Sequence, residues 1–239
     1  MAIREFDCKG YGQIEPSQVW FTRAGMSESQ CELDYTVFAS HFPMLPTEVA
    51  DGKIVAENGA FLMIDKERQL ATIPTKALSD YGFKMGINYS TERIYNQYTP
   101  GRRNFAMIAG EYNPRIGFIE PGMRICTNTV AWDTADCDLS FETGVTAATA
   151  TSDQFYAAVK ARIAAIRDNT TGRMNGATPQ TTPKPIYCGV IDGSKGKLCI
   201  GIDPKNAIGG VLGIVTEAYY NADNTDSFKI MFVDPAQVA

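Results

Sequence analysis

Residues 186–233 read IYCGVIDGSKGKLCIGIDPKNAIGGVLGIVTEAYYNADNTDSFKIMFV, and this stretch decides the fold class. It divides into four apolar runs, 186–191, 197–202, 211–220 and 228–233, each broken by Gly, Pro, Asn or Asp. Val, Ile, Tyr and Phe dominate the runs, which suits pleated, half-buried strands. The first break, Asp192-Gly193-Ser194-Lys195-Gly196, places glycines where a tight hairpin needs positive φ. The last break, residues 221–226, is a polar loop between two runs long enough to pair. The sequence predicts a compact antiparallel unit of about four strands, enough to bury one face. No chemistry is written into it.

Upstream, the same punctuation recurs. Lys53-Ile-Val-Ala and Ala60-Phe-Leu-Met-Ile-Asp flank Asn58-Gly59, a pair favoured in two-residue hairpin loops. Arg115-Ile-Gly-Phe-Ile and Met123-Arg-Ile-Cys-Thr are joined by Glu120-Pro121-Gly122, a second expected turn. Residues 75–81 are expected to form one helical turn. A single longer helix is predicted at about 152–168. Thr151-x-x-Gln154 is a capping-box pattern, Asp153 puts negative charge in the first turn, and Phe155, Val159, Ile163 and Ile166 share one face. Asn169 and Gly172 are expected to end it, before the proline-bearing linker GRMNGATPQTTPKP at 172–185. Residues 127–152, rich in Thr, Ala and Asp, are expected to cross the surface. The fold class is therefore mainly β: antiparallel β sandwich or barrel modules with one principal α-helix. The expected divisions are an N-terminal arm or strands at 1–50, a β-rich domain at 51–150, helix and linker at 151–185, and a C-terminal β module at 186–239. For residues 1–50, an arm that packs on something else and strands that join the main sheet both remain open.

Composition narrows the function classes. The 239 residues are 44% hydrophobic and 21% charged, ordinary for a globular chain. No apolar run approaches the roughly 18 residues a membrane helix needs. The opening MAIREFDCKGYGQIEP lacks an apolar core of signal-peptide length, so the chain is expected to be made and kept in the cytoplasm. Six dispersed cysteines without CxxC spacing then read as free thiols. A net charge of −5 and a pI near 5.0 argue against a general nucleic-acid binder. The charge is uneven. Residues 76–118 hold six basic residues against three acids, a local charge of +3.

Catalytic readings find little support. His41 is the single histidine, and no GxSxG or similar nucleophile setting accompanies it. Asp133, Asp136, Asp138 and Glu142 form the densest acidic group, but their spacing is not that of an EF-hand, and a solvated loop is the simpler expectation. Gly209-Gly210-Val-Leu-Gly213 lacks the phosphate-loop pattern and reads as a bend entering a strand. No catalytic residue, metal or cofactor is expected. The most function-like feature is the aromatic and basic tract at 81–118, where Pro100-Gly101 is expected to project Arg102 and Arg103. Tyrosine beside arginine is enriched at protein interfaces, so Tyr95, Tyr98, Arg102, Arg103 and Arg115 are the candidate interface. The bland alternative makes the aromatics core residues of strands.

One hairpin design occurs twice: Gly117-Phe-Ile-Glu-Pro-Gly-Met-Arg-Ile-Cys126 and Gly189-Val-Ile-Asp-Gly-Ser-Lys-Gly-Lys-Leu-Cys199. These β runs punctuated by Gly-turn-Gly, with the irregular N-terminal segment, resemble tailed-phage head decoration (cement) proteins. The resemblance implies a small β barrel or sandwich that binds and reinforces an assembled capsid shell, often as a dimer or trimer. It implies the capsid exterior as location and the major capsid protein or another virion protein as partner, with no membrane and no direct nucleic-acid contact. No family site residue carries over. Two rival readings are a glycan-binding or glycan-cleaving β protein with a tyrosine platform, and a tail or fibre component.

Overall fold

A computed structural model describes residues 2–6, 32–33, 54–56, 58–65, 70–80, 82, 84–89, 107–108, 116–174, 183–220 and 226–238. The described chain is mainly β, with one principal helix. The four C-terminal runs form β11 (Tyr187–Val190), β12 (Leu198–Ile200), β13 (Leu212–Tyr220) and β14 (Asp226–Val233). They pair antiparallel as β12-β11-β13-β14, as their glycine-punctuated pattern predicts. From Phe228 onward β14 alternates: Phe228, Ile230 and Phe232 are buried and the residues between them less so, while Ser227 before them is buried too.

These four strands are the middle of a seven-stranded sheet. Beyond β12 lie β10 (Val130–Asp133) and then β1 (Ile3–Glu5), while β9 (Arg124–Thr127) flanks β14. The β10–β12 pairing is parallel, and the other pairings in this sheet are antiparallel. The expectation of a surface crossing at 127–152 holds for 134–149, exposed or half-buried except at Leu139, but is corrected at its start, where all four residues of β10 are buried. Trp132 explains why. Its ring stacks on Phe155 at 4.3 Å, and its indole N–H donates to Ala147 O at 2.8 Å, so the polar tip is satisfied inside the core.

A second sheet has the order β2-β5-β4-β6-β8, formed by Glu32–Leu33, Leu70–Thr72, Phe61–Asp65, Lys84–Asn88 and Ile116–Gly117. Its β2–β5 pairing is parallel and the rest antiparallel. A small third pair joins β3 (Ile54–Ala56) to β7 (Met107–Ile108). The hairpin expected around Asn58-Gly59 is therefore corrected. The turn exists, with Gly59 at φ 87°, but it passes from one sheet to another. Gly59 N donates to Asn88 O and Asn88 N to Ala60 O, which commits the outgoing chain to β6. The turn at Pro121-Gly122 also links two sheets, β8 to β9, whereas its echo at 191–197 is a true hairpin between β11 and β12. The two copies of the motif thus have different architectures.

The two larger sheets share one hydrophobic cluster, with Phe61 and Met63 on one side and Phe228, Ile230 and Phe232 on the other. The Phe61 and Phe232 rings meet edge-on at 6.0 Å. A smaller cluster of Ala131, Ile191, Cys199 and Ile202 stands apart from it. The principal helix, α2 (Ser152–Met174), closes the cluster with Phe155, Tyr156 and Val159. Its capping box is formed: Gln154 N donates to Thr151 Oγ1 at 3.3 Å, and Thr151 N to Gln154 Oε1 at 2.9 Å. The helix runs through Asn169 and Gly172 to Met174, past the expected stop. A glycine late in a helix costs only about 1 kcal/mol, too little to end it alone.

A candidate binding groove at the sheet junction

The short helix α1 (Lys76–Asp80) begins where the second sheet leaves β5. Its first turn is fixed from both sheets. Thr75 Oγ1 accepts from Leu78 N at 3.3 Å, and Asp192 Oδ1, in the β11–β12 hairpin, accepts from Lys76 N at 3.1 Å. Gly82, at φ 80°, ends the turn and donates to Ser79 O. Ser79 Oγ then accepts Gly209 N at 2.8 Å, which pins the segment leading into β13 against α1.

Between these elements and the exit from β8 lies a groove of about 540 Å3. Its apolar lining is Met85, Phe118 and Ile119; Met85 is buried and the other two are half-buried. Lys84 stands on its rim, exposed, with Nζ 5.9 Å from the centre of the Phe118 ring. Glu120 and the exposed Gly210 also line it, with Ser79, Gly82 and Gly209. At Gly209, φ is +64° and a Cβ would lie 2.5 Å from Met85 Cε, so a side chain here would strain the backbone and push the Met85 methyl group aside.

None of the candidate interface residues Tyr95, Tyr98, Arg102, Arg103 and Arg115 falls among the described residues, and neither does His41. From the same tract the structure does place Tyr89, half-buried against the shared core, and Lys84 and Phe118 in the groove. The tract stands out in the sequence by its interleaved aromatics and cations. Its two ends meet in space, which no local signal announces. The bends read at Gly209-Gly210 are present, and they form a wall of the groove.

The acidic group at 133–142 is dispersed among separate structural tasks. Asp133 is buried in β10, not solvated as expected, and its Oδ1 accepts from Ala135 N. Asp136 accepts from Asn206 Nδ2 at 2.8 Å, and Asp138 pairs with Arg162 at 3.6 Å. Among the described residues no group of three or more His, Cys, Asp or Glu is placed to hold a metal. Among the described residues, Cys126, Cys137, Cys188 and Cys199 are thiols outside any disulfide. Burial pushes the Cys137 thiol up to about 11, with Asp138 and Asp133 adding to the shift, and burial drives Cys188 and Cys199 upward as well. Thiols so held stay protonated and unreactive at neutral pH. No described helix is long and apolar enough to cross a membrane.

Compared with protein-family models, curated proteins and solved structures, the chain matches none.

Proposed function

We propose that this protein is a non-enzymatic structural protein that binds an assembled capsid shell and reinforces it, in the manner of the head decoration proteins it resembles. The observation that carries this reading is the use made of the described carboxylates. Asp192, Asp203 and Asp234 cap short helical turns. Glu5, Asp80, Asp138 and Glu217 pair with lysine or arginine. These seven described carboxylates hold turns and strands together, and a groove lined by Lys84 opens beside them. That is the economy of a binding scaffold.

The experiment is mass in solution, co-sedimentation with purified capsid shells, and a glycan array, applied to the parent and to Arg102→Ala/Arg103→Ala. The expected result is an oligomer that pellets with shells and a double variant that folds but binds more weakly. A hot spot costs about 2 kcal/mol when truncated, roughly thirtyfold in affinity. A monomer that ignores shells and binds the array would overturn the proposal in favour of the glycan reading.

A further inference from the structure

We infer that Asn58 is a site of spontaneous deamidation that the fold itself holds shut, so that a chain slow to close its sheets is chemically marked and kept from folding. Asparagine is thermally labile, and most of all before glycine, whose backbone nitrogen has no Cβ beside it to hinder attack. The Gly59 nitrogen attacks Asn58 Cγ and gives up its proton, the side-chain nitrogen leaves as ammonia, and a five-membered imide remains. Water then opens the imide at either carbonyl, leaving aspartate or isoaspartate. Water is the only co-reactant. The chain holds two Asn-Gly pairs, at 58–59 and 175–176, and the second lies outside the described residues. The inference is independent of what the chain binds.

In the folded chain the reacting peptide group is held at both ends, one by each large sheet. Its N–H, on Gly59, donates to Asn88 O at 2.7 Å, at the end of β6. Its carbonyl oxygen, on Asn58, accepts the hydroxyl of Thr129, which joins β9 to β10. Ring closure has to break the first bond and turn the peptide against the second. Gly59 has no room to move either: a Cβ there would lie 2.6 Å from Thr127 Oγ1 and 2.9 Å from Thr129 Cβ.

The product does not fit where the asparagine did. Asn58 is buried, and its Oδ1 has no hydrogen-bond partner among the described residues. Aspartate would place a charge there, which is costly to bury unpaired. Isoaspartate adds a carbon to the main chain and carries Gly59 N away from Asn88 O. Either product opposes closure of the turn that ties the sheets together. The unfolded chain has no such clamp, so chemistry competes with folding for as long as the sheets stay open.

The test incubates the full chain in neutral buffer, folded or unfolded in guanidinium, and counts aspartate and isoaspartate at position 58 by peptide mapping and mass spectrometry. Asn175-Gly176, in the same digests, calibrates the unfolded rate. In guanidinium the two pairs should react alike. Folding should slow Asn58 by about tenfold or more, because reaction then waits on local opening. Thr129→Val removes the clamp on the carbonyl end and should speed the folded reaction severalfold, with the guanidinium rate unchanged. Asn58→Asp, which supplies the product directly, should lower the denaturation midpoint or abolish folding. Equal rates in the folded and unfolded chain overturn the inference, as does a guanidinium rate at Asn58 far below that at Asn175. So does a Thr129→Val protein no faster than the parent, or an Asn58→Asp protein as stable as the parent.

Discussion

Gly196 lies where the β11–β12 hairpin meets β4 of the second sheet. Its φ is +80°, and a Cβ there would lie 2.1 Å from the Phe61 carbonyl oxygen, while its own carbonyl accepts Phe61 N at 2.7 Å. Gly193, three residues earlier in the same hairpin, also has positive φ, but nothing lies within 4 Å of its would-be Cβ. The pair separates two costs. Gly193→Ala pays backbone strain of about 1 kcal/mol. Gly196→Ala adds a collision with backbone that cannot rotate away, and on the order of 3–5 kcal/mol should be lost. Urea midpoints measure both, and equal values would mean the sheets part easily. Glu5 offers a second test. Partial burial pushes its carboxyl up, yet Lys197 at 2.7 Å and Lys195 at 3.5 Å outweigh this and hold it below the ordinary glutamate value. A lowered folded value means stability present above the unfolded value near pH 4.3 and lost as pH falls through the folded one. Because the Glu5 side chain is 38% exposed, the pair contributes no more than about 1 kcal/mol. Glu5→Gln should lower stability by that much at pH 7, and the gap to the parent should close as the pH falls through the lowered folded value. A gap that persists at low pH would show the loss to be steric.

Among the elements, α2 was the most legible. Its cap, its acidic first turn and the Phe155–Val159 spacing are all local, and all are realised. Thr151→Ala should therefore cost about 1 kcal/mol in a denaturant titration with the helical circular-dichroism signal retained, and Thr151→Ser should restore it. No change in the alanine variant would mean the cap is idle. The C-terminal strands were legible for the same reason, since β11–β12 and β13–β14 are hairpins whose partners adjoin in sequence. β10 was not. Its flanks, Thr127, Asn128 and Thr129, look like surface, but they are buried, and Thr129 Oγ1 donates to Asn58 O from a distant turn. A polar residue satisfied by tertiary contact carries no local mark of burial. The Asn58-Gly59 turn shows the converse limit: the residues fix positive φ, but φ does not say which strand the chain joins next. The groove is harder still, because its walls come from three stretches far apart in sequence and only their meeting creates the site.

At the scale of the molecule, the thiols report on the core as a whole. Titration of the denatured chain should count close to six free thiols, the number of cysteines in the sequence. In the native protein at pH 8, Cys137 should react slowly, because a value of about 11 leaves on the order of one thiol in a thousand ionised. Cys188 and Cys199, fully buried, should wait for unfolding. Fast native reaction at these sites would mean the shared core opens readily. The order of the seven-stranded sheet reaches further, into how the chain comes to fold. Ile3 pairs opposite Asp133, and β9 finds its described partner only in residues 228–231. During synthesis β1 must stay unpaired until β10 exists, and the sheet cannot be completed until residue 233 has left the ribosome. Such long-range pairing closes slowly and leaves strand edges exposed to other chains in the meantime. Slower translation or a cooler culture should raise the yield of native protein, and a chain cut before residue 226 would leave β9 without its described partner and β13 paired on its β11 edge alone.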